Sequence, residues 1–300
     1  MKVCFSCIIT FLLVFVFGCK SGTKKIDTFE PLFSTYKNDS TGAKALNAKN
    51  EIFYGILTPV EICTIFNRLG VPYDKAALNP VSNRDQYLSS SKTSINTGIY
   101  GVDFGYLKIF GIGQDLIDYM VTIRDMSNNL GIPDSYLTEP IKRIQSDISE
   151  PDTIMTIMNR AFRKMEDHLR ANGRESAAGL MIMGGWVEAM FISTQLVYNS
   201  ANPDPEVVQK IAEQKYTLTT LLSLMKNYYD DPVVVYYTKK LMFLKKYFDS
   251  FDIYFKKGDL EIDTAKKVFR STSTEMNITV ETLDKIRDYI SKLRTEMVTP

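Results

Sequence analysis

Histidine, tryptophan and cysteine are scarce in this chain of 300 residues, with one His, one Trp and four Cys, and three of those Cys fall within the first 19 positions. A single His argues against a multi-histidine metal centre and against a serine–histidine hydrolase, and no HExxH spacing or Cys cluster takes their place. Neither a metal nor a cofactor is implied. A surplus of one charge is also missing: Lys and Arg total 36 against 35 Asp and Glu. A balance of +1 argues against a nucleic-acid partner, which calls for a basic surface to neutralise phosphates. Gly111-Ile112-Gly113 lacks the third glycine and the preceding strand of a dinucleotide fingerprint. What is present is an ordinary globular composition, 45% apolar and 24% charged. A chain of this length buries about three quarters of its unfolded surface without disulfides.

The apolar residues are not evenly spread. Met1 and Lys2 precede a 15-residue apolar stretch, Val3 to Phe17, interrupted only by Ser6 and Thr10. That is short of the roughly 20 residues of a membrane span and suits the core of an export signal. It ends in Val16-Phe17-Gly18-Cys19, which resembles the lipobox of bacterial lipoproteins, where a small residue precedes a Cys that is acylated and becomes the new N-terminus. The resemblance covers residues 1–19. It implies a signal peptide at 1–18, lipidation at Cys19, and a lipid bilayer as the partner of the acylated Cys19. Residues 19–50 then form the lipidated Cys and a polar tether, opening with Lys20-Ser21-Gly22-Thr23-Lys24-Lys25. In lipoproteins of Gram-negative bacteria a residue other than Asp after the Cys goes with outer-membrane delivery. Lys20 therefore implies an outer-membrane, lipid-anchored protein facing the periplasm. Cleavage before Cys19 removes Lys2, Cys4 and Cys7, leaving 35 basic against 35 acidic residues. The remaining thiol, Cys63, reads as a small core hydrophobe.

Beyond residue 55 the periodicity is helical almost throughout, so the region 51–300 should be an all-α domain, a compact multi-helix bundle or short helical stack of about eight or nine helices. Thr58-Pro59-Val60-Glu61 has the form of a capping box, and Gly70 with Pro72 ends that helix. A helix beginning near Asn83 should run through Gly98 to Phe110. Leu116, Met120, Ile123 and Leu130 mark the next, and Gly131 ends it. Ile141, Ile144 and Ile148 mark a short helix, and Ile154 to Leu169 a longer one that stops at Gly173. Residues 174–199 form another. Asp204-Pro205 and Asp231-Pro232 each cap and start a helix. The last of these should carry Val233, Tyr237, Leu241, Leu244, Phe248, Phe251 and Phe255 on one stripe. A short helix around Asp263 to Phe269 and a final one with Leu283, Ile286, Ile290 and Leu293 complete the chain.

Three features could carry function. The stretch Ala177 to Ile192 is apolar on all sides except for Glu188, and it sets Gly184 and Gly185 on a small-residue face. A second helix has Gly98, Gly101 and Gly105 on one face, so the helices around Gly101 and Gly184 should cross at close range. Asp103 lies among Ile99, Tyr106 and Phe110, making Asp103 and Glu188 candidate buried acids, with Trp186 as one wall of a pocket. Buried carboxylates either pair within a structural network or mark a site. Tyr236, Phe243, Tyr247 and Tyr254 form an aromatic row that either packs or meets a partner. His168, near Gly173, reads as a cap of terminal carbonyls.

A lipobox followed by aromatic-rich helices is similar to the all-helical envelope lipoproteins of Gram-negative bacteria. The similarity is broad and assigns no role to a residue; the reading favoured here is a non-enzymatic binding or interaction module whose partner is an envelope protein or a small ligand. Two alternatives stand beside it: a hydrolase-like enzyme working through Asp103 and Glu188, and a short tetratricopeptide-like lipoprotein that binds glycans or peptides.

Overall fold

Ser89 opens the first long helix, its hydroxyl oxygen accepting from the Lys92 amide at 3.1 Å. This helix, α1, spans Ser90–Ile109 and begins later than the apolar pattern suggests, because Val81–Gln86 forms a 3-10 turn instead. Asn83 is not free to start a helix there, since its side-chain amide donates to Asn79 Oδ1 at 3.0 Å. The computed structural model describes residues 65–66, 68–146, 151–255, 260–263, 268–271 and 274–300. The signal segment 1–18, Cys19, the tether 19–50, the box at Thr58–Glu61 and Cys63 lie outside them.

Seven further α-helices follow among the described residues: α2 (Gly113–Asn129), α3 (Ser135–Ser146), α4 (Pro151–Ala171), α5 (Glu175–Ile192), α6 (Pro205–Met225), α7 (Pro232–Phe248) and α8 (Val280–Val298). Their ends follow from local chemistry. Gly131, at φ +67°, closes α2: the Ile132 amide reaches Ser127 O at 3.0 Å and the Gly131 amide reaches Asn128 O at 2.8 Å. A left-handed residue is needed for that pair of bonds, and glycine takes it without strain. Asp204 Oδ1 accepts from the Glu206 and Val207 amides to start α6, and Asp231 Oδ1 accepts from the Val233 amide to start α7. α5 runs on into a π-helical turn, Ser193–Val197.

The fold is an all-α bundle organised around α5. By length and composition the segment Glu175–Val197 could cross a membrane, yet two thirds of its most apolar 18-residue window is buried inside the protein. It packs against α1, α4, α6 and α8, which is why it has no polar face to spare. One side of α5 supplies Trp186, Val187 and Met190 to an apolar cluster with Leu221 of α6, Leu244 of α7 and Ile290 of α8. The other supplies Ala177, Ala178 and Met181 to a cluster with Phe104 of α1, Ile123 of α2 and Met165 of α4.

The stretch after α7 differs from the helical expectation. α7 ends at Phe248 rather than continuing to Phe255, and Ile253–Phe255 is strand β1. Asp249 and Asp252 would place negative charge at the negative end of the helix dipole, which disfavours extension. The released chain pairs instead, with Asp252 and Asn277 joined through the Asp252 amide to Asn277 Oδ1 at 2.7 Å. β1 runs antiparallel to β4 (Thr274–Met276). In place of the short helix around Asp263 to Phe269, β2 (Leu260–Asp263) pairs antiparallel with β3 (Val268–Ser271). Leu260-Glu261-Ile262-Asp263 alternates apolar and polar residues, a period of two that suits a strand.

Candidate functional site

Three helices bring three charged side chains together in the interior. Asp103 comes from α1, Glu188 from α5 and Arg294 from α8, and they are 0%, 0% and 8% exposed. Arg294 grips Glu188 in a two-pronged salt bridge, Nε to Oε2 at 2.9 Å and Nη2 to Oε1 at 3.0 Å. The same Nη2 donates to the Ala77 carbonyl at 3.0 Å. Burial opposes the charge on Arg294, but Glu188 beside it outweighs that penalty and its pKa is raised. Such planar, bidentate geometry is what repays the desolvation of two buried ions, a cost of several kcal/mol each.

Asp103 completes the cluster. Its Oδ2 accepts from the Asn79 amide at 3.1 Å, and its other oxygen accepts from no donor. Burial and the Glu188 carboxylate push Asp103 well above the usual carboxylate range, against the pull of Arg294. A proton on Asp103 would give that oxygen a partner, as a donor toward the Glu188 carboxylate beside it. Asn79 is the hub of the surrounding network. Its Nδ2 donates to Asn96 Oδ1 at 3.0 Å, and its carbonyl accepts from Tyr119 Oη at 2.8 Å. Burial pushes the Tyr119 and Tyr100 hydroxyls up, so both remain donors. The carboxyl end of α8 is seated on the start of α1 by Asn96 Nδ2 and Tyr87 Oη, which donate to Met297 O at 3.0 Å and Val298 O at 2.7 Å.

This network has a pH signature. A carboxyl whose folded pKa is raised contributes stability that is complete below its unfolded value, near 4, and is lost as pH rises through the folded value. Asp103→Asn keeps a donor toward Glu188 and cannot ionise. As pH rises above 4 toward the folded value, the wild type should therefore lose up to about 1.4 kcal/mol per pH unit relative to Asp103→Asn. Urea titrations followed by Trp186 fluorescence measure the difference; parallel pH profiles would contradict it.

Asp103 and Glu188 thus lie together, whereas Trp186 does not line them. It sits two residues before Glu188 on α5, about 200° around the helix, fully buried among apolar residues of α6, α7 and α8. The sequence pattern does not single out Arg294 or Asn79. Arg294 was nevertheless visible as a basic residue one position past Leu293, within about 20° of the Leu283 direction on the apolar stripe of α8. His168 reaches across to another helix end, its Nε2 lying 3.1 Å from Gly131 O after α2, rather than capping its own.

The aromatic row lies on the outside. Tyr236 and Phe243 of α7 are 49% and 44% exposed. Tyr289 of α8 stacks on Phe243 with ring centroids 5.2 Å apart, and Tyr247 meets both rings edge-on at 5.6 and 6.1 Å. Tyr254 leaves the row because α7 has ended; it stands on β1 with its hydroxyl donating to Asp252 at 3.3 Å. Comparisons with protein-family models, with curated proteins and with solved structures find no match to this chain.

Proposed function

We propose that this chain is a lipid-anchored, non-enzymatic interaction module of the bacterial envelope, attached to the outer membrane through acylated Cys19 and facing the periplasm. The observation that carries the non-enzymatic part is the closure of the acid pair. Both Glu188 oxygens are held by Arg294, and neither Asp103 nor Glu188 has exposed surface. General acid–base work needs a carboxyl within hydrogen-bond reach of a substrate, and these two are turned inward to hold α1, α5 and α8. Tyr236 and Phe243 stand exposed on α7, with Tyr289 of α8 stacked on Phe243, where a partner could meet them. The anchor rests on the Val16-Phe17-Gly18-Cys19 pattern.

Fractionation after a high-salt wash, with labelled fatty acid in the medium, tests the anchor. Wild type should stay with the membrane and take up label, and Cys19→Ala should do neither. A variant that fractionates and labels like wild type would overturn the reading.

A further inference from the structure

The outward face of α7 combines a surplus of lysine with large exposed apolar groups. Pro232–Phe248 contains four lysines, Lys239, Lys240, Lys245 and Lys246, and no acidic residue, although basic and acidic side chains nearly cancel over the chain as a whole. Its solvent side also carries large apolar groups: Tyr236, Met242 and Phe243 are 49%, 39% and 44% exposed. At about 100° per residue, Tyr236, Phe243, Lys239, Lys246 and Met242 fall within an arc of about 120°. Two of the lysines are engaged elsewhere, Lys240 with Glu296 at 2.7 Å and Lys245 with Asp249. Among the described residues, Lys239 and Lys246 pair with no carboxylate, and Lys246 instead lies over the Phe243 ring at 5.4 Å.

We infer that this face docks on an anionic lipid surface. Protein interfaces favour aromatic residues and methionine but are depleted in lysine. Interfacial helices, by contrast, mix aromatic and aliphatic groups with lysines whose stems lie along the apolar boundary while their heads reach the phosphates. The stacking of Phe243 on Tyr289 and the edge contacts of Tyr247 hold the rings as a preformed ridge, so little side-chain freedom is lost on insertion. The lysine pair supplies the charge complement. The inference rests on the reading of the protein as one that works at a membrane, but not on acylation of Cys19.

The test uses the full chain carrying Cys19→Ala, sedimented with vesicles of phosphatidylethanolamine and phosphatidylglycerol or of phosphatidylcholine alone. All variants keep the same N-terminus, so differences between them report the ridge. Binding should favour the anionic vesicles and fall in high salt. Lys239→Glu with Lys246→Glu should lower the partition coefficient by at least about 25-fold, since each lysine near an anionic surface contributes about fivefold. Phe243→Ser should weaken binding in the same direction, while Arg160→Glu with Lys164→Glu, exposed on α4, should not. Unchanged melting of each variant establishes that it is folded. Equal binding to neutral and anionic vesicles, no binding to either, or the same loss in the α4 pair would overturn the inference; the lipoprotein reading would still be decided by the fractionation of Cys19→Ala.

Discussion

Gly184→Ala should lower the unfolding free energy by about 3 kcal/mol, at the upper end of what overpacking costs, while Ala at the neighbouring Gly185 should stay within about 1 kcal/mol of wild type. The contrast comes from what a methyl group would meet. At Gly184 it would fall inside the carbonyl of Ile95 on α1, and at Gly98 inside the carbonyl of Met181 on α5. At Gly185 the nearest atom is Gly98 O at 3.4 Å, an ordinary contact. Backbone cannot swing aside as a side chain can, so Gly98→Ala and Gly184→Ala force α1 and α5 apart and loosen both apolar clusters that α5 joins. Gly101 is a different case. Its methyl would meet the Phe162 ring of α4, which can turn, so Gly101→Ala should cost less than either. Leucine at Gly98 or Gly184 should prevent folding. Urea denaturation read through Trp186 decides the matter, and Ala variants at 98 and 184 as stable as wild type would refute the close crossing.

The second large effect lies at the ionic cluster. Arg294→Met should cost about 3–5 kcal/mol, because it leaves the Glu188 carboxylate buried beside Asp103 with no counter-charge. It also strips the Ala77 carbonyl of its donor. Glu188→Gln should be costly for the converse reason, leaving the guanidinium buried against a neutral amide. Asp103→Asn is the mild member of the set at neutral pH, since the amide has the same shape and leaves the Arg294–Glu188 pair intact.

Much of this was legible in the sequence, and the misses have physical causes. Asp204-Pro205 and Asp231-Pro232 start helices because capping is local chemistry, readable from two residues. The burial of Asp103 and Glu188 followed from their place on apolar stripes, and the crossing of the two glycine-bearing helices from their small faces. Which glycine makes the contact was not legible: Gly98, Gly101 and Gly105 share a face, and only the crossing point puts Gly98 on the Met181 carbonyl and turns Gly101 toward Phe162. The aromatic periodicity that starts in α7 outlasts the helix. Phe251 remains in the core after the helix has ended, so continued burial imitated continued helix, while Asp249 and Asp252 had already removed the electrostatic support for extension. The partners of the acids were hidden for another reason. Asn79 lies 24 residues from Asp103, and Arg294 lies 106 from Glu188, so neither pairing has a local signature.

The buried acids Asp103 and Glu188 join α1, α5 and α8 as architecture, which under the proposed function leaves the outer surface to meet a partner. A double-mutant cycle on Glu188→Gln and Arg294→Met, read as unfolding free energies at neutral pH, tests that role most directly. If the pair serves only to join α5 to α8, each single variant should lose about 3–5 kcal/mol and the double variant should recover most of that loss, because no charge is left stranded. Single variants within about 1 kcal/mol of wild type, or a double variant whose loss equals the sum of the two, would contradict it.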